Sequence, residues 1–172
     1  KSHPIDAFVE VDRYLPGCPP VPHLFMMVST GETDKTLART VCQDCGRKKL
    51  RDQRPEHLVG FQTGTVDPDI CLINQGYLCI GSSTRGGCGA PCTRAGNPCV
   101  GCRGPSDAFI EKESAVWMKS IARIFQGMTD IPEEEIQAGL RSPQLALFLF
   151  QFSDYAGREG EEQTIRPKEK VL

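Results

Sequence analysis

The sequence has no run of about 18 apolar residues, so nothing in it is long enough to span a bilayer as a helix. The stretch LALFLFQF at 145–152 is too short for that and reads as one buried helix face. No succession of charged, apolar and small residues marks a secretory signal. A net charge of −2 and a pI near 6.0 leave no basic surplus to attract nucleic acid. Ser/His/Asp sets, phosphate-binding glycine loops and paired carboxylates are missing as well. Catalysis is therefore not expected from the side chains themselves. His3, His23 and His57 sit in polar or proline-rich stretches without cysteine spacing, and surface or loop roles are expected for them. These absences predict a cytoplasmic protein with no membrane span and no nucleic-acid partner.

Carboxylates are also missing where another residue is abundant. Residues 71–102 read CLINQGYLCIGSSTRGGCGAPCTRAGNPCVGC, with six cysteines, seven glycines, two arginines and no Asp or Glu. Glycine lets the backbone wrap a compact object and aim N–H groups at it. Thiolates are soft ligands for iron, zinc or copper(I). So few large apolar side chains are not expected to make a core, which leaves order to whatever the sulfurs hold. The nine cysteines are an odd count and there is no secretory signal, which argues against a disulfide framework and for metal-bound thiolates in a reducing compartment.

Along the chain, IDAFVEVDRYL at 5–15 alternates as a strand does and runs into Pro16-Gly17-Cys18-Pro19-Pro20. The prolines forbid a continuing strand and present Cys18 on a rigid loop. A helix of about two turns is expected from Pro22 to Ser29, with Leu24, Phe25, Met27 and Val28 inward. Cys42-Gln43-Asp44-Cys45 lets two sulfurs from one turn reach one centre. The basic run Gly46–Arg51 reads as a solvated face, with a docking surface or a positive field beside a metal centre as alternatives. Residues 59–66 read as a short strand, and Asp67-Pro68-Asp69 as a turn delivering Cys71. Past Cys102 the composition turns helical. Trp117, Ile121, Ile124, Phe125 and Met128 share one face, and Pro132 with Glu133–Glu135 opens a second helix. Ser142-Pro143 caps a third, carrying Leu145, Phe148, Leu149 and Phe152. The tail from Gly157 reads as a charged arm.

The cysteine spacing is Cys42-x2-Cys45-x25-Cys71-x7-Cys79-x8-Cys88-x3-Cys92-x6-Cys99-x2-Cys102, with Cys18 alone upstream. Eight plus one suggests two complete four-thiolate sites and one ligand lent to a third. Iron–sulfur clusters fit this best, and paired zinc ribbons stay open as the alternative.

LPGCPP at 15–20, VCQDC with its Arg-Lys at 41–48, CLINQGYLCIGSSTRGGCGAPC at 71–92 and PCVGCRGP at 98–105 resemble the small, electron-transferring subunit of soluble nickel–iron hydrogenases. The likeness is greatest to the deazaflavin-reducing and heterodisulfide-reductase-linked (methyl-viologen-reducing) groups, with the sulfhydrogenases a little further off. The complex I small cluster-bearing subunit shares the PGCPP loop but not the eight downstream cysteines. The resemblance implies three 4Fe-4S clusters in a line from a nickel–iron large subunit to a flavin or iron–sulfur acceptor subunit. Carried over residue by residue, Cys18 matches a ligand of the proximal cluster. Cys42, Cys45, Cys71 and Cys79 match the distal set, and Cys88, Cys92, Cys99 and Cys102 the medial set. This chain would then ligate two clusters fully and a third in part, as the non-catalytic relay of an oxidoreductase. Membrane-bound relatives have a histidine where Cys42 stands and three thiolates where Cys92 adds a fourth. All-cysteine ligation is expected to lower the potentials. The implied fold is irregular α+β: the end of a flavodoxin-like α/β domain at 1–38, a loop-rich two-cluster module at 39–106, and a helical segment with a polar tail at 107–172. That makes it the C-terminal portion of such a subunit.

Overall fold

The structure is a computed structural model that describes residues 8–10, 15, 17, 19–32, 38–60, 64–106, 108 and 114–141, with backbone alone at 114–118. Cys18, most of the strand-like 5–15 segment, the expected third helix from Ser142 and the charged tail lie outside the described residues. Phe8 and Val9, from that alternation, form a turn and a bend and are exposed.

Helix α1 spans Pro22–Thr30, with proline at its first turn and Gly31 in the left-handed conformation at its end. Only Leu24 of its apolar residues is fully buried. Phe25 is 60% exposed, contrary to the expected inward face. Leu24, Met27 and Val28 make a stripe at helical spacing, and Phe25 falls beside that stripe.

Helix α2 is the single turn Val41–Cys45, stopped by Gly46 at φ 74°. Gln43 Oε1 accepts the Thr40 N–H at 2.8 Å and steadies the helix start. A 3-10 turn follows at Leu72–Gln75, and α3 is the four-residue turn Pro91–Arg94. No β-strand occurs among the described residues. Isolated bridges join Thr40 to Arg85, Lys48 to Ile70, Val59 to Tyr77 and Thr84 to Pro105. The strand expected at 59–66 is thus reduced, in its described part, to one bridge at Val59. Gly64 at φ 86° breaks the extended run. The Asp67 turn forms as expected, its Oδ1 accepting the Asp69 N–H at 2.8 Å and the Ile70 N–H at 3.3 Å.

Helices α4 (Ser114–Gln126) and α5 (Glu133–Arg141) pack on each other through Ile121, Ala122, Phe125, Ile136 and Leu140, all fully buried. The expected stripe is present in Ile121, Ile124, Phe125 and Met128. The Trp117 side chain lies outside the described part.

The cysteine-rich segment does not stand on its sulfurs alone, as its composition suggested. Leu72, Ile73, Tyr77, Leu78 and Ile80 are buried in one apolar core with the α4–α5 residues. These large side chains are concentrated at 72–80, where the two helices cover them. Two polar residues lock this packing. Arg54 donates to Asp130 Oδ1 at 2.9 Å and to the carbonyls of Gly127, Gln126 and Thr129, closing the end of α4. Asn74, 1% exposed, donates to the carbonyls of Leu50, Gln53 and Met128 and accepts the Leu50 N–H at 3.0 Å.

Candidate metal centre

Each of the first four spaced cysteines reaches the same place from a different constraint. Cys42 and Cys45 project from the single turn of α2. Cys71 is delivered by the Asp67 turn, with its N–H bonded to the Lys48 carbonyl at 2.7 Å. Cys79 is held in the apolar core at 7% exposure. All four line one cavity, with Val41, Leu72, Ile73 and Gly81 as its apolar walls. The enclosed space between them is small, about 20 Å³, and part of the cavity opens to solvent. No carboxylate lines it, and Arg47 and Lys49 do. Among the described residues no three His, Cys, Asp or Glu side chains converge on one point as they would around a single ion. The eight described cysteines are free thiols.

Burial raises the thiol of Cys42, opposed by the Lys49 ammonium and reinforced by Cys71 and Cys45. Burial pushes the Cys79 thiol up to about 12, against two backbone N–H groups, of Gly81 and Cys99, that bond its sulfur. Thiolates at such positions need positive charge against them, which a metal centre supplies on binding. Four soft donors lining one cavity, with cations beside them and no competing carboxylate, fit an iron–sulfur centre.

The second set lies alongside. Cys99, also 7% exposed, gives its N–H to Cys79 Sγ at 3.3 Å, and its carbonyl accepts the Ile80 N–H at 3.0 Å. Burial raises the Cys99 thiol well above its ordinary value, with Cys79 and Cys102 close enough to add to the effect. Cys88 Sγ accepts the Ala90 N–H at 3.4 Å, and Cys92 sits exposed on α3. The structure thus brings Cys42, Cys45, Cys71 and Cys79 together, and sets Cys99 and Cys102 beside them. Cys88 and Cys92 are carried by a loop and a turn tied to α2.

Those ties come from residues the spacing did not single out. Asp44, between the two cysteines of α2, accepts the N–H groups of Gly87 at 2.6 Å and Gly89 at 3.3 Å, on either side of Cys88. Arg39 adds an ion pair to the same carboxylate at 3.0 Å. Arg94 of α3 donates to the Asp44 carbonyl at 3.1 Å. His23 of α1 bonds the Gly87 carbonyl at 2.9 Å. Arg47 is not the solvated residue the basic run suggested. It is half-buried, donating to the carbonyls of Thr93 at 2.8 Å and Ile70 at 2.9 Å and also to that of Asp67. Three carbonyls in reach outweigh hydration for a planar guanidinium. Lys48 and Lys49 remain exposed.

The sequence is 42% identical over 112 residues to the G subunit of the vhu F420-non-reducing hydrogenase of Methanocaldococcus jannaschii, covering 63% of this chain and 38% of that protein. The iron-sulfur G subunit of the F420-non-reducing hydrogenase of Archaeoglobus profundus is 37% identical over 115 residues, 59% of this chain and 36% of its own length. The delta subunit of sulfhydrogenase 2 of Pyrococcus furiosus is 28% identical over 144 residues, 81% of this chain and 49% of its own length. The chain therefore spans less than half the length of these relatives. No protein-family model matches it. Among the described residues no helix is long and apolar enough to cross a membrane.

Proposed function

The chain is a homologue of hydrogenase G and delta subunits, and from that premise we propose that it carries electrons within a hydrogenase complex through iron–sulfur centres. Cys42, Cys45, Cys71 and Cys79 hold one 4Fe-4S centre, Cys88, Cys92, Cys99 and Cys102 a second, and Cys18 lends a ligand to a third. When bound, each centre takes up and gives up single electrons. The chain's own part is to fix the sulfurs, keep one side of each site dry and set the potential. The partners are a nickel–iron large subunit and an acceptor subunit. The names of the relatives favour an acceptor other than F420. In this reading residues 1–38 end a flavodoxin-like domain, 39–106 form the two-centre module and 107–172 the helical segment.

The observation that carries the proposal is the contact between the two sets. A ligand sulfur of one, Cys79 Sγ, lies 3.3 Å from the backbone nitrogen of a ligand in the other, Cys99, with both residues buried. A relay needs neighbouring centres with no solvent gap between their ligands, whereas two structural ions have no use for that contact.

Iron and acid-labile sulfide analysis of the anaerobically purified complex tests the proposal. About eight irons and eight sulfides per chain are expected beyond the shared centre, with broad absorption near 400 nm, from two four-iron centres. Zinc without sulfide would overturn it in favour of an interaction module with no redox role.

A further inference from the structure

Three consecutive hydroxyls, Ser82 to Thr84, follow Cys79 in the turn at 81–83 and just after it, and they are treated differently. Ser83 Oγ donates to the Ile80 carbonyl at 3.0 Å, and Thr84 Oγ1 donates to the same oxygen at 2.8 Å. Ser82 Oγ is shut off from solvent and has no hydrogen-bond partner. Leaving a buried hydroxyl unbonded costs about 1–3 kcal/mol, so a site that keeps one must give it an acceptor.

Ser82 lines the cavity framed by Cys42, Cys45, Cys71 and Cys79. Its lining neighbours narrow the choice of acceptor. Val41, Leu72, Ile73 and Gly81 present apolar walls, Arg47 and Lys49 are donors, and the Thr93 hydroxyl is bonded to the Ala90 carbonyl at 3.3 Å. The acceptors this cavity gathers are sulfurs. None of the four cysteine thiols as they stand makes a hydrogen bond with Ser82 Oγ.

We propose that the Ser82 hydroxyl donates a hydrogen bond to a sulfur of the iron–sulfur centre held at Cys42, Cys45, Cys71 and Cys79, and so raises that centre's potential. This rests on the proposed reading of the cavity as an iron–sulfur site. A donor to sulfur stabilises the added negative charge of the reduced form more than the oxidised form, which moves the potential upward. Lys49 at the same cavity acts in the same direction. The first set therefore sits above the potential that four thiolates alone would give it, and electrons arriving from the second set are drawn toward it.

The test uses the anaerobically purified complex with Ser82→Ala, Ser82→Gly and Ser82→Thr, each measured for iron, sulfide and redox titration by electron paramagnetic resonance. The signal altered by Cys42→Ser identifies the centre concerned. The Ala and Gly variants are expected to keep their iron and shift that centre to lower potential. At a fixed potential the reduced-to-oxidised ratio should fall about three- to tenfold, tenfold being 59 mV for one electron. The Thr variant, which retains a hydroxyl, is expected to titrate as the unaltered protein does. Loss of this one centre from both Ala and Gly variants, with retention in Thr, also demonstrates the bond. The same midpoint in all four proteins, with iron retained, overturns the role of Ser82 and leaves the site intact. Unaltered protein without iron and sulfide overturns both.

Discussion

Removing the carboxylate of Asp44 should loosen the loop that carries Cys88 while leaving the four thiols of the cavity in place. The residue is not a ligand in any reading, yet its side chain is only 8% exposed and bonds three donors. The Gly87 N–H at 2.6 Å is a short, charge-assisted bond worth about 1.5–3 kcal/mol. The Gly89 N–H at 3.3 Å is long and adds less than about 1 kcal/mol. Arg39 is 53% exposed, so its ion pair contributes about 0–1 kcal/mol. Asp44→Ala is thus expected to cost about 2–4 kcal/mol, almost all of it through the two amides. Asp44→Asn keeps one acceptor oxygen and should cost about half as much. Arg39→Ala should cost less than about 1 kcal/mol.

Calorimetry of the purified complex can rank these variants. A cost of about 2–4 kcal/mol corresponds to an apparent midpoint lowered by roughly 5–15 °C for a unit of this size. Iron release to a chelator gives a second readout, and in Asp44→Ala the centre proposed to be held through Cys88 should be lost first. Equal effects of Asp44→Ala and Arg39→Ala would refute the reasoning, because the carboxylate would then matter only as half of a surface ion pair.

Arg54→Ala should separate the 50–58 segment from the end of α4 and cost about 2–3 kcal/mol by thermal unfolding, and Arg54→Lys should recover less than half, since one ammonium cannot reach Asp130 and three carbonyls at once. Asn74→Leu, similar in size, leaves the part-buried Leu50 N–H and the carbonyls of Leu50 and Gln53 without their side-chain partner; a loss of about 2–3 kcal/mol is expected, and a loss under about 1 kcal/mol would show that the bracket is dispensable. Glu135 is held below the usual carboxylate range, chiefly by the Leu58 N–H at 2.7 Å and next by His57. Its contribution is complete above the unfolded value near 4.3 and fades as pH falls through the lower folded value. The small stability gap between the protein and Glu135→Gln should therefore stay level from pH 7 to about 4.5 and close only below that; a gap already closed at pH 5.5 would reverse the sign.

The cysteines stood out in the sequence because few side chains serve as soft metal ligands, so their spacing along the chain carries information about spacing around a centre. Helices α1, α4 and α5 were visible for a similar reason: proline at the start of α1, Pro132 and the glutamates at the start of α5, and the 3.6-residue apolar period of α4 are local features. What stayed hidden depends on partners far along the chain. Phe25 belongs to an apolar run, but which side of α1 faces inward is decided by what α1 packs against. The buried residues at 72–80 gave no sign that helices beginning more than 30 residues later would cover them. Asp44, Arg47, Arg54 and Asn74 are the sharpest cases. Each binds backbone amides or carbonyls between 20 and 75 residues away, and those groups are the same at every position in the chain. No spacing rule can mark them. The cysteine pattern therefore points to the kind of centre proposed for this chain. How rigidly the two sets are held against each other is decided by an aspartate, two arginines and an asparagine that belong to no motif.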